Sequence, residues 1–175
     1  MKSFLELLRK RRSCRTFSAA DLTSDEVTCL LEAALLAPTG RNARACHFYV
    51  VDNKDKLLKL SDAKENGSKF LADTALAIIV TCNENDASCW VEDCSIAAIT
   101  MQYQAAEIGI GSCWCQINGH YLSDGTSSED VVRGIADIPE DDRILCVVGF
   151  GKQKFDNMLP KTDRELLWEN VKIVE

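Results

Sequence analysis

The chain has 175 residues, a formal net charge of −7, 46% hydrophobic and 27% charged side chains, which suits one folded domain with a buried core. The acidic balance argues against a nucleic-acid partner, whose phosphates demand an excess of Lys and Arg. No apolar run reaches membrane-spanning length and no secretory apolar stretch follows the N-terminal charges, so no membrane partner and a cytoplasmic location are expected.

Phe4, Leu7 and Leu8 recur at helical spacing between charges and predict an amphipathic helix over 2–12. It leads into Arg11-Arg12-Ser13-Cys14-Arg15. Together with Lys2, Arg9 and Lys10, these arginines place 6 of the 20 basic side chains in the first fifteen residues. Such a knot on an acidic chain is either a solvated helix face or a site for an anion. Arginine forks match phosphate oxygens, and Ser13 adds a short donor.

Thr23-Ser24-Asp25-Glu26 fits a capping box. Val27, Leu30, Leu31, Ala34 and Leu35 then form an apolar stripe that Pro38 and Gly40 stop. In Ala37-Pro38-Thr39-Gly40-Arg41-Asn42-Ala43-Arg44, Gly40 permits a tight backbone, while Thr39 and Asn42 offer polar side chains on a turn. Alone, this segment is an ordinary helix stop.

Residues 47–52 predict a strand, 54–60 a short helix, and 66–73 another helical piece. The continuous apolar run at 75–82 predicts a central strand covered on both faces. From 89 to 108 a long helix carries apolar residues nearly all round, as a buried helix does, with Gly109 closing it. It runs from Glu92-Asp93-Cys94-Ser95-Ile96-Ala97-Ala98 into Gly109-Ile110-Gly111-Ser112-Cys113-Trp114, where 111–117 predicts a strand. Small residues there let a backbone approach a planar ring. The glycines follow a helix and precede a strand, so they are not the dinucleotide fingerprint. Thr126-Ser127-Ser128-Glu129 reads as a second capping box opening a helix to 135, and 144–150 as the last strong strand. The polar tail, 151–175, carries Lys152, Lys154, Lys161 and Arg164. It ends in a β-like stretch at 171–174, read as an arm reaching a partner subunit. Helices and strands mix without strict alternation, which predicts a single α+β domain over 1–175 built around one mixed sheet.

The nine cysteines are irregularly spaced with no Cys-x-x-Cys, and His47 and His120 are the only histidines. No metal site is spelled, and most of the thiols read as small core residues in a reducing compartment. Cys113 and Cys115, two apart on a strand, point the same way, which leaves a cysteine-based redox protein as one rival reading.

Taken in order, the segments at 11–15, 37–44 and 92–114 resemble the nitroreductase family of flavoproteins over essentially the whole chain. The family pattern is Arg-Arg-Ser-x-Arg, then Pro-Ser/Thr-x-x-Asn before the first strand. Later come Glu-Asp-Cys-Ser-Ile-Ala-Ala leading into Gly-Leu-Gly-Ser-Cys-Trp, and a basic tail. The resemblance implies an FMN-dependent homodimer that uses NADH or NADPH to reduce a small electron-poor substrate such as a nitroaromatic or quinone. It implies that Arg11, Arg12, Ser13 and Arg15 hold the FMN phosphate and ribityl chain. Pro38, Thr39 and Asn42 would reach the flavin of the other subunit, and Asn66 and Lys69 its ring edge. Gly111, Ser112, Cys113 and Trp114 would lie along the isoalloxazine. Lys161 and Arg164 would meet the phosphate, with Lys152 and Lys154 competing for that role. No catalytic acid or base is expected, since the cofactor carries the chemistry.

Two departures stand out. Many members continue the second motif with Gln-Pro-Trp, where this chain has Arg44-Ala45-Cys46. The stretch 83–89, where larger members place helices over the site, is only a loop. A non-enzymatic flavin-binding or sensory module, and a related flavoenzyme with a different specialised substrate, remain alternatives.

Overall fold

The computed structural model describes residues 3–154 and 165–174. Its strands are β1 (Cys46–Val51), β2 (Leu76–Asn83), β3 (Ile110–Gln116) and β4 (Asp142–Lys152), in spatial order β1-β2-β4-β3. Its α-helices are α1 (Phe4–Lys10), α2 (Ser24–Leu35), α3 (Lys54–Ser61), α4 (Trp90–Glu107) and α5 (Ser128–Ala136). The piece expected at 66–73 is a 3-10 turn at Lys69–Asp73. No helix among the described residues is long and apolar enough to cross a membrane.

The sheet is antiparallel throughout, not mixed. After β1, α3 and the Lys69–Asp73 turn bring the chain back to the end it left, so β2 returns antiparallel. The α4 crossover does carry β3 in the same direction as β2, as a crossover connection can. But β4 sits between those two strands and pairs antiparallel with each. The parallel contact that does form among the described residues is an isolated bridge, Ser13 to Ser112.

β2 is buried along nearly its whole length, and its alternate residues feed two cores. Ile78 and Val80 join Leu30, Ala34, Ala98, Met101 and Phe150 beneath α2 and α4. Ala77 and Ile79 join Leu57, Leu60, Leu71, Cys113, Cys115, Val132 and Val147 beneath α3 and α5. In α4, Cys94, Ala97, Ala98, Met101 and Ala105 are buried, yet Val91 and Ile96 remain 39% and 37% exposed. The apolar side chains of α1 rest only lightly on α4: Phe4 meets Tyr103 edge-on, and α1 buries none of its residues. At 171–174 the chain is exposed and forms no strand within this protomer.

The first capping box forms as expected, with Thr23 and Glu26 bonded reciprocally. The second does not. Ser127 is the N-cap of α5, and its hydroxyl accepts from the Glu129 N–H. The Glu129 side chain turns inward instead, because four donors await it there. They are Asn118 Nδ2 at 2.8 Å, Arg143 Nε and Nη2 at 3.2 and 3.1 Å, and the Ile144 N–H at 3.1 Å. Burial alone would raise the Glu129 carboxyl, but the bonds from Arg143, Ile144 and Asn118 together outweigh it and hold the group below its usual 4.5.

A carboxyl lowered on folding contributes stability that is present above its unfolded pKa and is lost as pH falls through the folded value. Glu129→Ala, which strands a buried N–H and Arg143, is therefore expected to cost about 2–4 kcal/mol in urea unfolding at pH 7. The deficit should shrink progressively below about pH 4.5. A deficit that stays constant with pH contradicts the ionised network.

Candidate functional site

The first and third motifs meet at the edge of the sheet. The chain leaves α1 extended at Arg11 and runs alongside β3, where the Cys14 N–H donates to Ser112 O at 2.8 Å. It continues past the end of β4, with Phe17 bridged to Gln153 and the Ser18 N–H donating to Lys152 O at 2.9 Å. On the other side of β3, buried Gln102 of α4 donates to Ser112 Oγ at 3.3 Å. Ser112 is thus held through both its carbonyl and its hydroxyl. A glycine at 111 is also required by the packing within the chain. A Cβ there would lie 2.9 Å from Cys14 Sγ and 2.9 Å from Gln153 Cγ, so Gly111 makes room for the N-terminal segment itself.

This junction carries positive charge that no carboxylate among the described residues neutralises. Among the described residues, none of Arg11, Arg12 and Arg15 is paired with a carboxylate. Arg12 Nη1 donates to Arg11 O at 2.7 Å, while its buried Nε has no partner among the described residues. Burial pushes the Cys113 thiol up, while Arg15, Ser13 and Arg11 act in the opposite direction, and Ser13 is bridged to Ser112 of β3. Adjacent unpaired guanidiniums, an orphaned buried N–H and a serine hydroxyl suit an anion with several acceptor oxygens.

At the other end of β3, Lys64 Nζ donates to Gln116 O at 3.1 Å, and Glu65 accepts from the Ser123 N–H at 3.1 Å. The same loop exposes Asn66. Lys69, by contrast, is engaged with Asp62 and its side chain is 73% exposed. The cation that this loop brings to β3 is therefore Lys64, which the sequence did not single out. Trp114 is half-buried, with Nε1 donating to Gln116 Oε1 at 3.0 Å. Cys113 and Cys115 do share one face. Burial raises both thiols, Cys115 to about 11, so neither is the thiolate a redox pair requires.

The second motif lies elsewhere. The Gly40 N–H donates to Asp93 Oδ1 at 2.8 Å, in the first turn of α4. Thr39 Oγ1 accepts from the Arg44 N–H at 3.0 Å, and Asn42 Oδ1 accepts from Arg44 Nε at 3.1 Å. Arg41, Asn42 and Arg44 all hold left-handed backbones, at φ 53°, 57° and 51°. Each such residue costs about 1–3 kcal/mol unless its surroundings impose it; here Asp93 and Thr39 hold the turn. Pro38 and Asn42 are exposed on it. Asp93 and Gln102 are nine residues apart on α4, about 13 Å along its axis. Within one protomer the first motif meets the β3 end of the third segment, while the second motif meets its start at Asp93.

Lys152 pairs with Glu26. Lys161 and Arg164 lie outside the described residues. A cavity of about 400 Å³ between Asp21, Leu22, Val27, Val50, Asp52, Lys54, Ala75 and Leu76 includes none of the expected site residues.

An antiparallel four-stranded sheet between two helical layers, its edge strand flanked by an arginine-rich N-terminal segment, defines an α+β class shared with solved nitroreductases. The chain belongs to the nitroreductase family: that family's model matches residues 8–152. An Archaeoglobus fulgidus protein provisionally named an NADH dehydrogenase/NAD(P)H nitroreductase is 32% identical over 88% of this chain and 87% of its own length. The structure of an FMN-dependent nitroreductase from Clostridium difficile R20291 superposes with a TM-score of 0.93 at 31% identity, covering 98% of this chain and 99% of that one. A provisionally named nitroreductase from Desulfovibrio desulfuricans, solved in complex with FMN, shares the fold with a TM-score of 0.82 at 19% identity, over 100% and 98% of the two chains.

Proposed function

We propose that this protein is a cytoplasmic, homodimeric flavoenzyme that binds FMN and uses NADH or NADPH to reduce a small electron-poor acceptor, a nitroaromatic or a quinone. The observation that carries the reading is the arginine cluster, which no carboxylate among the described residues neutralises, with its orphaned Arg12 Nε, beside the Ser13–Ser112 bridge. Its donor set fits a terminal phosphate. The printed name of the C. difficile relative, an FMN-dependent nitroreductase, supports the same cofactor.

When bound, FMN supplies a ring that accepts and passes on electron pairs; the chain's own residues bind and orient it. Arg11, Arg12, Ser13 and Arg15 hold the phosphate and ribityl chain. Ser112, Cys113 and Trp114, with the Gly111 backbone, give the ring a rigid wall, and Gln102 keeps Ser112 in place. Asn66 and Lys69 serve the polar ring edge, for which Lys69 must leave Asp62. Pro38, Thr39 and Asn42 come from the second subunit, and Lys161 and Arg164 of the tail add charge at the phosphate.

Anaerobic titration of the FMN-loaded protein with NADH and with NADPH tests the reading. Loss of the flavin absorbance with one of them, and its return on adding a nitroaromatic or quinone, is expected. A loaded protein that neither nicotinamide bleaches contradicts it and leaves a non-enzymatic flavin module.

A further inference from the structure

The register between β1 and β2 sets Cys46 opposite Cys82, and α4 lays Cys94 over both. The three sulfurs all lie within 4.8 Å of one another, with Cys46 Sγ 3.6 Å from Cys94 Sγ. None of the three belongs to the candidate flavin site. We propose that Cys46, Cys82 and Cys94 form a binding site for a soft, thiophilic d10 cation held by three thiolates.

The spacing fits. Metal–sulfur bonds of about 2.3 Å separate the sulfurs of a tetrahedral or trigonal site by about 3.8–4.0 Å. The three thiols reach that by shifts of less than about 1 Å. Donor type selects the ion. The cluster is all sulfur, which excludes hard cations such as Mg²⁺ and Ca²⁺ and favours soft ones. The neighbouring carboxylate, Asp93, is already engaged by the Gly40 N–H. Cys82 and Cys94 are fully buried on a central strand and a packed helix, so the site is stiff, while half-buried Cys46 gives entry.

Besides the Cys46–Cys94 contact, the buried thiols donate to carbonyls at long distance: Cys94 Sγ to Thr81 O at 3.5 Å and Cys82 Sγ to Asn83 O at 3.4 Å. These are weak bonds to give up. Half-buried Cys46 is the sulfur that an ion arriving from solvent meets first. The balanced step is one M²⁺ plus three thiols giving a three-thiolate complex of net charge −1 and three released protons. No oxidant or reductant takes part.

The test uses the reduced, FMN-loaded, chelator-treated protein and Cd²⁺ as the probe. Thiolate-to-metal charge-transfer absorbance should saturate at one ion per chain, with three protons released per ion. Cys46→Ser should weaken binding roughly a hundredfold or more. Cys29→Ser, in α2 and outside the cluster, should leave it unchanged. As a second readout, Zn²⁺ should raise the melting temperature of the parent protein but not of Cys46→Ala, a half-buried change that the fold tolerates. The proposal is overturned if the reduced protein develops no charge-transfer band. It is equally overturned if the band and its midpoint survive Cys46→Ser, or if Zn²⁺ stabilises Cys46→Ala as much as the parent.

Discussion

Coexpressing an Arg15→Ala chain with an Asn42→Ala chain is expected to restore activity that neither variant has as a homodimer. Arg15 lies just past Ser13, which is bridged to Ser112 of β3. Asn42 lies on the turn held by Asp93, nine residues along α4 from the Gln102 that meets Ser112. The expected rescue rests on the proposal that the two motifs serve one flavin from different chains. The surfaces a partner would cover are present: Val91 and Ile96 on α4, Phe4, Leu5 and Leu8 on α1, and the exposed tail from Leu166 to Val174. In a two-fold dimer the sites are equivalent and composite. A mixed dimer then holds one doubly damaged site and one intact site. Random pairing makes about half the dimers mixed, so roughly a quarter of all sites should work. If each site lay within one chain, every site would carry one lesion and no activity would return.

Arg15→Ala is also expected to weaken FMN binding about ten- to hundredfold, whereas Lys10→Ala has little effect. Lys10 is exposed in the last turn of α1. Arg15 follows the Ser13–Ser112 bridge and has no carboxylate partner among the described residues. A charge-assisted bond contributes about 1.5–3 kcal/mol, which is that same factor in affinity. Flavin fluorescence titration measures both variants, and equal affinities count against Arg15 as a phosphate ligand.

The features that were legible in the sequence are those written in local pattern. The run at 75–82 could only be a strand covered twice, and β2 is that strand. Thr23 and Glu26 form their box because both partners lie within one turn. Glu129 repeats the same spacing yet answers to Arg143, Asn118 and Ile144, which only the tertiary fold brings near. Sheet direction was missed for a similar reason: β2 and β3 run the same way, but β4 is inserted between them.

In the candidate site, the arginines and Ser13 could be read as anion ligands from residue type alone. Gln102, which fixes Ser112, and Asp93, which fixes the Gly40 turn, could not, because each partner is distant in sequence. Lys64, which donates to Gln116 O, could not be singled out either, because that partner is also distant in sequence. The three-cysteine cluster depends on strand register, and no spacing between 46, 82 and 94 encodes it.

The absorbance spectrum of the purified protein, followed by identification of any released flavin, tests FMN binding most directly. A yellow protein, or one that turns yellow on taking up added FMN, is expected, and denaturation should release FMN and not FAD. That choice follows from an arginine cluster that suits a terminal phosphate and from glycines placed after a helix, where no dinucleotide fingerprint can form. A colourless protein that takes up no added FMN would contradict it.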